Sequence, residues 1–344
     1  MQSREFFENL INKVVEGDCI GVMKKIPEGS VDVTFADPPF NLKKKYTSYY
    51  DRHEAEVYLS WCKEWLGEMV RITKPTGSIF VHNIPKWLIY FGSYLNEVAI
   101  FRHWIAWNAM GPPLGKTLLP NHYGILYYVK SEEFKFYDIR MLHKRCRKCH
   151  YILQDYGGKK GQMHQFGPLA SDVWSDIHRI RHKTRRDAHP CQLPVHLLER
   201  LLLMSSDEGD IVLDPFIGTG TTAIAAKKLG RKFVGIDIDP KYVEIANKKL
   251  EVEEPTVING CYVSIFLDNV ITVRGKDWNK IKDAFLTPQD PLELEKREIR
   301  LLPKKRKTIK HETAERMQGS LLPLWEQCEE IAATHNTALK GPVD

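Results

Sequence analysis

The chain has 344 residues, 43% hydrophobic and 27% charged, enough for one large domain or two ordinary ones with a buried core, which excludes small disulfide scaffolds and disordered tails. It holds no apolar run near the ~20 residues of a bilayer span, its first residues MQSREFFENLINK lack an export signal, and seven cysteines from Cys19 to Cys328 form no disulfide framework, so a cytoplasmic protein with no membrane partner is expected. The net charge of +6 is uneven: residues 102–191 hold 16 Lys/Arg against 7 Asp/Glu, 8 of the 13 histidines and aromatics such as Trp104, Trp107, Tyr127 and Trp174, which points to a polyanionic partner for the middle of the chain.

In chain order, Val14-Val15 reads as a short strand, Cys19 to Lys25 as a helical turn or two, and Val31 to Ala36 as a buried strand stopped by Asp37-Pro38-Pro39. Tyr58, Trp61, Trp65, Met69 and Ile72 step by 3, 4, 4 and 3, one face of a helix that Lys74-Pro75-Thr76-Gly77 closes. A strand Ser78 to His82, a helix from about Lys86, and strands Phe101 to Trp107 and Tyr123 to Val129 continue the alternation of a mostly parallel sheet. Regular periods fail from about 130 to 188. A helix Val195 to Met204, a strand Ile211 to Leu213, a helix Thr221 to Leu229, a strand Phe233 to Ile236 and a helix Lys241 to Leu250 then form a βαβ unit plus its next helix. Tyr262 to Val273 reads as a hairpin about Asp268-Asn269, followed by a mixed tail.

Two strand ends carry chemistry. Gly218-Thr219-Gly220-Thr221-Thr222-Ala223 fits G-x-G-x-x-G/A between a strand and a helix, and Asp237 stands 19 residues past Gly218, which suits an adenosine ligand whose ribose hydroxyls bond a carboxylate. Asp214, where that ligand must pass, repels a pyrophosphate and attracts an ammonium or sulfonium, so S-adenosylmethionine is favoured over a nicotinamide dinucleotide. At the other end, the prolines of Asp37-Pro38-Pro39-Phe40 fix one carboxylate and one carbonyl as a rigid pair of acceptors for a nucleobase amino group. Phe40 offers a ring to a base swung out of its duplex.

With these motifs the chain resembles an amino-directed DNA methyltransferase of the β class, in which the catalytic motif precedes the cofactor motif: DPPF at 37–40, then His189-Pro190-Cys191-Gln192-Leu193-Pro194, DPFIGTGTT at 214–222 and GIDID at 235–239. The resemblance covers about 1–100 and 189–250. It implies a Rossmann-like α/β fold with a mixed, mostly parallel sheet, divided into a catalytic half (1–101), a target-recognition region (102–188), a cofactor-binding half (189–252) and a C-terminal extension (253–344). It implies that Asp37, Pro38, Pro39 and Phe40 form the catalytic motif, in which Asp37 and Pro38 hold the target amino group and Phe40 stacks on the base. The methyl donor would lie against Asp37, Phe216, Gly218, Gly220 and Thr221, with Asp237 on its ribose, Asp18 near its adenine and Asp214 by its methionine end. The aspartate of DPPF resembles adenine-N6 enzymes, whereas cytosine-N4 enzymes mostly show serine there. Leu193 stands where the family usually has lysine, so no role of that lysine carries over.

Double-stranded DNA is the implied partner; a homodimer and a cognate restriction endonuclease are left open. Lys43, Lys44 and Lys45, and Arg179, Arg181, Lys183, Arg185 and Arg186, are the expected DNA contacts, most of them to phosphates. His143-x-x-Cys146-x-x-Cys149-His150 is half of a zinc site, with Cys146 and Cys149 as candidate ligands. The rival readings are cytosine-N4 transfer, a nicotinamide dehydrogenase, and a DNA-binding module with a vestigial cofactor pocket.

Overall fold

The computed structural model describes residues 2–42, 53–108, 118, 120–140, 169–177, 179–180, 192–252, 257–258, 261–266 and 269–274. They fall within one compact unit, Met1–Leu142 with Phe166–Phe285. The elements run α1 (Gln2–Leu10), β1 (Lys13–Glu16), α2 (Cys19–Met23), β2 (Val31–Ala36), α3 (Ala55–Ile72), β3 (Thr73–Asn83), α4 (Pro85–Val98), β4 (Ile100–Asn108), β5 (His122–Val129), β6 (Ile139–Arg140) and β7 (Val173–Trp174). Then follow α5 (Val195–Ser205), β8 (Ile211–Asp214), α6 (Thr221–Lys228), β9 (Lys232–Asp237), α7 (Pro240–Val252), β10 (Val257–Ile258), β11 (Cys261–Phe266) and β12 (Asn269–Arg274).

Eight strands form one sheet in the order β1-β9-β8-β2-β3-β5-β4-β7. From β1 to β3 every pair is parallel; β5 runs antiparallel to both β3 and β4. Strand and face alternation explain the two cores. Val33 and Phe35 of β2, Phe80 of β3 and Ile125 and Tyr127 of β5 face Leu197, Leu201, Ala223 and Ala226 of α5 and α6. Ala36, Ile79, Val81, Leu126 and Tyr128 turn the other way, toward α1 to α4. Strands covered on both faces read as continuous apolar runs, as these do.

The segment expected to end α3 is part of β3. Pairing jumps from Val31↔Thr73 to Val33↔Ser78, so Lys74 to Gly77 bulge out of a continuous strand. A Cβ at Gly77 would lie 2.6 Å from the Asp32 carbonyl oxygen, so glycine lets the bulge close on β2. The irregular middle contributes two-residue strands: β7 extends the main sheet beside β4, and β6 joins β10, β11 and β12 in a second sheet. The expected hairpin is β11–β12, with Phe266 opposite Asn269. Among the described residues no helix is long and apolar enough to cross a membrane.

Candidate active site

The sheet reverses its winding between β8 and β2. The connection β8–α6–β9 goes one way and β2–α3–β3 the other, so the carboxyl ends of β8 and β2 open into a crevice, the usual ligand position in an open α/β sheet. Because β2 pairs with β8 through Thr34↔Leu213, the two motifs, far apart in sequence, finish side by side. Both line one cavity of about 370 Å³, with Asp18, Asp37, Asp214, Asp237 and Asp239 on its wall and no Lys or Arg among its described lining residues. Such a site attracts a cation and disfavours phosphate.

Asp214 ends β8 and is 3% exposed. The Phe216 backbone N–H donates to its Oδ1 at 2.9 Å and the Thr222 hydroxyl to its Oδ2 at 2.5 Å. Burial, reinforced by the charges of Asp37 and Asp237 and opposed by those two hydrogen bonds, pushes its carboxyl up to about 7. Asp237 ends β9; its Oδ2 accepts from the Gly218 N–H at 2.8 Å and its Oδ1 from the Asp239 N–H at 2.9 Å, and burial raises it too. The first amide of the glycine turn is therefore bound to a carboxylate instead of aimed at a phosphate. Asp18 follows β1, which pairs with β9 so that Glu16 faces Asp237, and its Oδ2 caps α2 through the Gly21 N–H at 2.7 Å.

Across the crevice, Asp37 is fixed by its neighbours. The parallel register Ala36↔Val81 sets it beside His82, whose Nδ1 lies 2.7 Å from Asp37 Oδ1. The Pro39 carbonyl accepts from the Tyr58 hydroxyl at 2.5 Å and the Phe40 carbonyl from Trp87 Nε1–H at 2.6 Å. The turn leaves through Asn41 at φ +52°. The Phe40 ring is 7% exposed, packed on His82 and Tyr123 with centroids at 5.7 and 5.9 Å, so it is a fixed wall of the site.

Of the expected cofactor residues, Asp18, Asp37, Asp214, Phe216, Gly218, Thr221 and Asp237 line the cavity; Gly220 does not. Gly220 serves packing. Its φ is +90° and a Cβ would stand 2.9 Å from Ala246 Cβ on α7. Gly220→Val should therefore act on the fold, lowering stability by at least about 2 kcal/mol through left-handed strain and overpacking; urea unfolding of the cofactor-free chain measures it, and an unchanged midpoint would refute it. Arg179 is half-buried, with a buried Nε that has no partner among the described residues. Lys43, Lys44, Lys45, Arg181, Lys183, Arg185, Arg186, Cys146 and Cys149 lie outside the described residues. Trp107, Tyr127 and Trp174, counted toward a nucleic-acid surface, are each 1% exposed and belong to the core.

Sequence reasoning misses His82, Tyr58, Trp61, Asp239 and Tyr242. Trp61 reads as core by its period, yet this half-buried ring meets Phe216 edge-on at 5.6 Å and lines the cavity. His82 carries one usable signal, a polar residue ending a strand as Asp37 does. Leu193 lines the cavity at 9% exposure, so an apolar side chain stands on the wall at the position where the resemblance has lysine. Cys19 also lines it, but burial pushes its thiol up to about 12, so it is no nucleophile.

Residues 31–248 match the family described as DNA methylase. The chain is 41% identical over 288 residues to the Type II methyltransferase M.BamHI of Bacillus amyloliquefaciens, covering 82% of this chain and 68% of that protein. It is 31% identical over 255 residues to the DNA adenine methyltransferase YhdJ of Escherichia coli (strain K12), covering 72% of this chain and 85% of that one. TTHA0409 of Thermus thermophilus, solved with S-adenosyl-L-methionine, shares the fold with a TM-score of 0.50 at 23% identity, covering 71% of this chain and 94% of that chain. With the match running through both strand-end motifs, the chain belongs to the N6/N4 DNA methylase family.

Proposed function

We propose that this chain transfers a methyl group from S-adenosylmethionine to the N6 amino group of an adenine at a specific site in double-stranded DNA. The observation that carries the proposal is the acid-lined cavity that Asp37 and Asp214 share at the β2/β8 crevice. S-adenosylmethionine supplies an electrophilic methyl group on a sulfonium. The cavity suits it: about 370 Å³, within the range of small-ligand sites, and carboxylates with no cation among the described lining residues. Asp214 meets the ammonium of the methionine end, Asp237 the ribose hydroxyls and Asp18 the adenine side, while Phe216, Gly218 and Thr221 complete the wall. Asp237 keeps its remaining acceptor capacity for hydroxyl donors.

An exocyclic amino nitrogen is a poor nucleophile because its lone pair is delocalised into the base. Asp37 and the Pro38 carbonyl accept hydrogen bonds from its two N–H groups, which frees the lone pair toward the methyl carbon; as the N–C bond forms the C–S bond breaks, the sulfur leaves as a neutral thioether, and the methylated nitrogen releases one of its protons to solvent. Phe40 packs against the base. Transfer is direct in this reading, and of the described cysteines Cys19 and Cys62, both pushed up to about 12 by burial, offer no thiolate. Residues 1–101 then form the catalytic half, in which Lys43, Lys44 and Lys45 follow DPPF as DNA contacts, 189–252 the cofactor half, 102–188 the DNA reader with Arg179, Arg181, Lys183, Arg185 and Arg186 as phosphate contacts, and 253–344 an extension. Residence in the cytoplasm on nucleoid DNA goes with this reading; a homodimer and a cognate restriction endonuclease stay open, to be decided by sedimentation and co-purification.

The direct test is incubation with mixed-sequence duplex DNA and methyl-labelled S-adenosylmethionine, then nucleoside mass spectrometry. Labelled N6-methyladenine is expected. Labelled N4-methylcytosine would keep the site and correct the base, and cofactor binding with no labelled base would favour a DNA-binding module.

A further inference from the structure

His82 is a buried polar side chain that the scheme above leaves without a task. The imidazole is 2% exposed and boxed by aromatic rings, with centroids at 5.7 Å from Phe40, 5.3 Å from Tyr123 and 5.7 Å from Trp107. Its Nδ1 meets Asp37 Oδ1 at 2.7 Å, while its Nε2 is buried with no hydrogen-bond partner among the described residues. An apolar side chain would fill this aromatic box without an unpaired polar atom, so the histidine is a local cost to stability. That cost falls beside the one carboxylate whose orientation the proposed chemistry needs.

The surroundings also select the tautomer. With the proton on Nε2, a buried N–H donor would be orphaned, the rarer and costlier arrangement; with it on Nδ1, the donor points at Asp37 and only a bare lone pair lacks a partner. We infer that His82 is a positioning residue: its Nδ1–H anchors Asp37 Oδ1, and the three rings clamp the imidazole, so that Asp37 presents Oδ2 to the target amino group. This rests on the methyl-transfer reading. It assigns the site a fixed carboxylate rotamer before substrate arrives, which is preorganisation of the acceptor.

The test uses the full chain. His82→Asn places an amide N–H near the position of Nδ1, His82→Gln places one near Nε2, and His82→Phe keeps the ring packing without a donor. His82→Gln and His82→Phe should lower kcat about 100-fold, the loss typical of a misplaced reacting group, with KM for S-adenosylmethionine unchanged. His82→Asn should recover most of that rate. Nitrogen-15 spectra of histidine-labelled protein, assigned by the signal missing in His82→Asn, should show Nδ1 protonated and Nε2 bare. Near-normal turnover in His82→Gln or His82→Phe, no rescue by Asn, or a proton on Nε2 would each overturn the inference. A wild-type chain that methylates no base would overturn the role together with the function beneath it, and the nitrogen-15 signal separates the two failures because it reports the His82–Asp37 bond without turnover.

Discussion

Asp37→Asn is expected to reduce methyl transfer by about 10³-fold or more while cofactor affinity stays within a few-fold of wild type. The substitution keeps size and shape, and the new amide oxygen still accepts from His82 Nδ1–H. The other atom changes from an acceptor into an NH₂ donor facing the hydrogens of the target amino group. Two donors then oppose each other where the reaction needs donor against acceptor. Asp37→Ala is the less informative variant, because it strands the 2% exposed imidazole of His82 at a cost of about 1–3 kcal/mol. Removing the Asp37 charge also removes one of the influences that raise Asp214, so the cofactor pocket holds more carboxylate near neutral pH, not less. Labelled-methyl transfer and calorimetric titration of the cofactor check both halves. Turnover near the wild-type rate would take Asp37 out of the chemistry.

Sequence reasoning reaches the site unevenly, for physical reasons. Strand ends are legible because prolines and glycines stop a strand at a definite residue, which is why Asp37, Asp214 and Asp237 can be named and line one cavity. What lies behind them depends on strand order, and strand order is not written locally. His82 meets Asp37 because β3 pairs with β2 in a register that only the folded sheet defines. The stripe on α3 is legible by its period, yet period alone cannot tell that Trp61 meets Phe216 at the cavity while Trp65 is fully buried. Gly220 reads as a ligand contact because the glycine pattern is defined by ligand-binding turns; its missing Cβ instead admits Ala246 of α7, a contact across the sequence. Charge density misleads for a related reason. The span 102–191 is basic on average, but β4 and β5 thread its first part through the core and carry Trp107 and Tyr127 inward.

Asp214→Asn should separate stability from cofactor binding with opposite signs. The Asp214 carboxyl is raised in the folded chain from 3.8 to about 7, mainly by burial. A group raised in this way contributes stability below its unfolded value and loses that contribution as pH climbs through the folded one. The cofactor-free protein is therefore penalised by this carboxylate at pH 8 and not at pH 4. Asparagine accepts from the Phe216 N–H with its oxygen and donates to the Thr222 hydroxyl, so both hydrogen bonds have replacements without a charge. The variant should melt a few degrees above wild type at pH 8, and the gap should close at pH 4. Cofactor binding should move the other way, weakened about 10- to 100-fold by loss of a charge-assisted hydrogen bond to the ammonium. In the wild type, affinity should fall as pH drops below about 7, because the cation needs the ionised form, and binding at pH 6 should release a proton to buffer. The other ionisable groups on the described cavity wall, Asp18, Cys19, Asp37, His53, Tyr58, Asp237, Asp239 and Tyr242, remain in the variant, so a pH dependence that survives Asp214→Asn would not belong to Asp214. Calorimetric titrations in buffers of different ionisation enthalpy count the proton. Affinity that is flat from pH 5.5 to 8, or a variant that binds as wild type does, would move the ammonium away from Asp214.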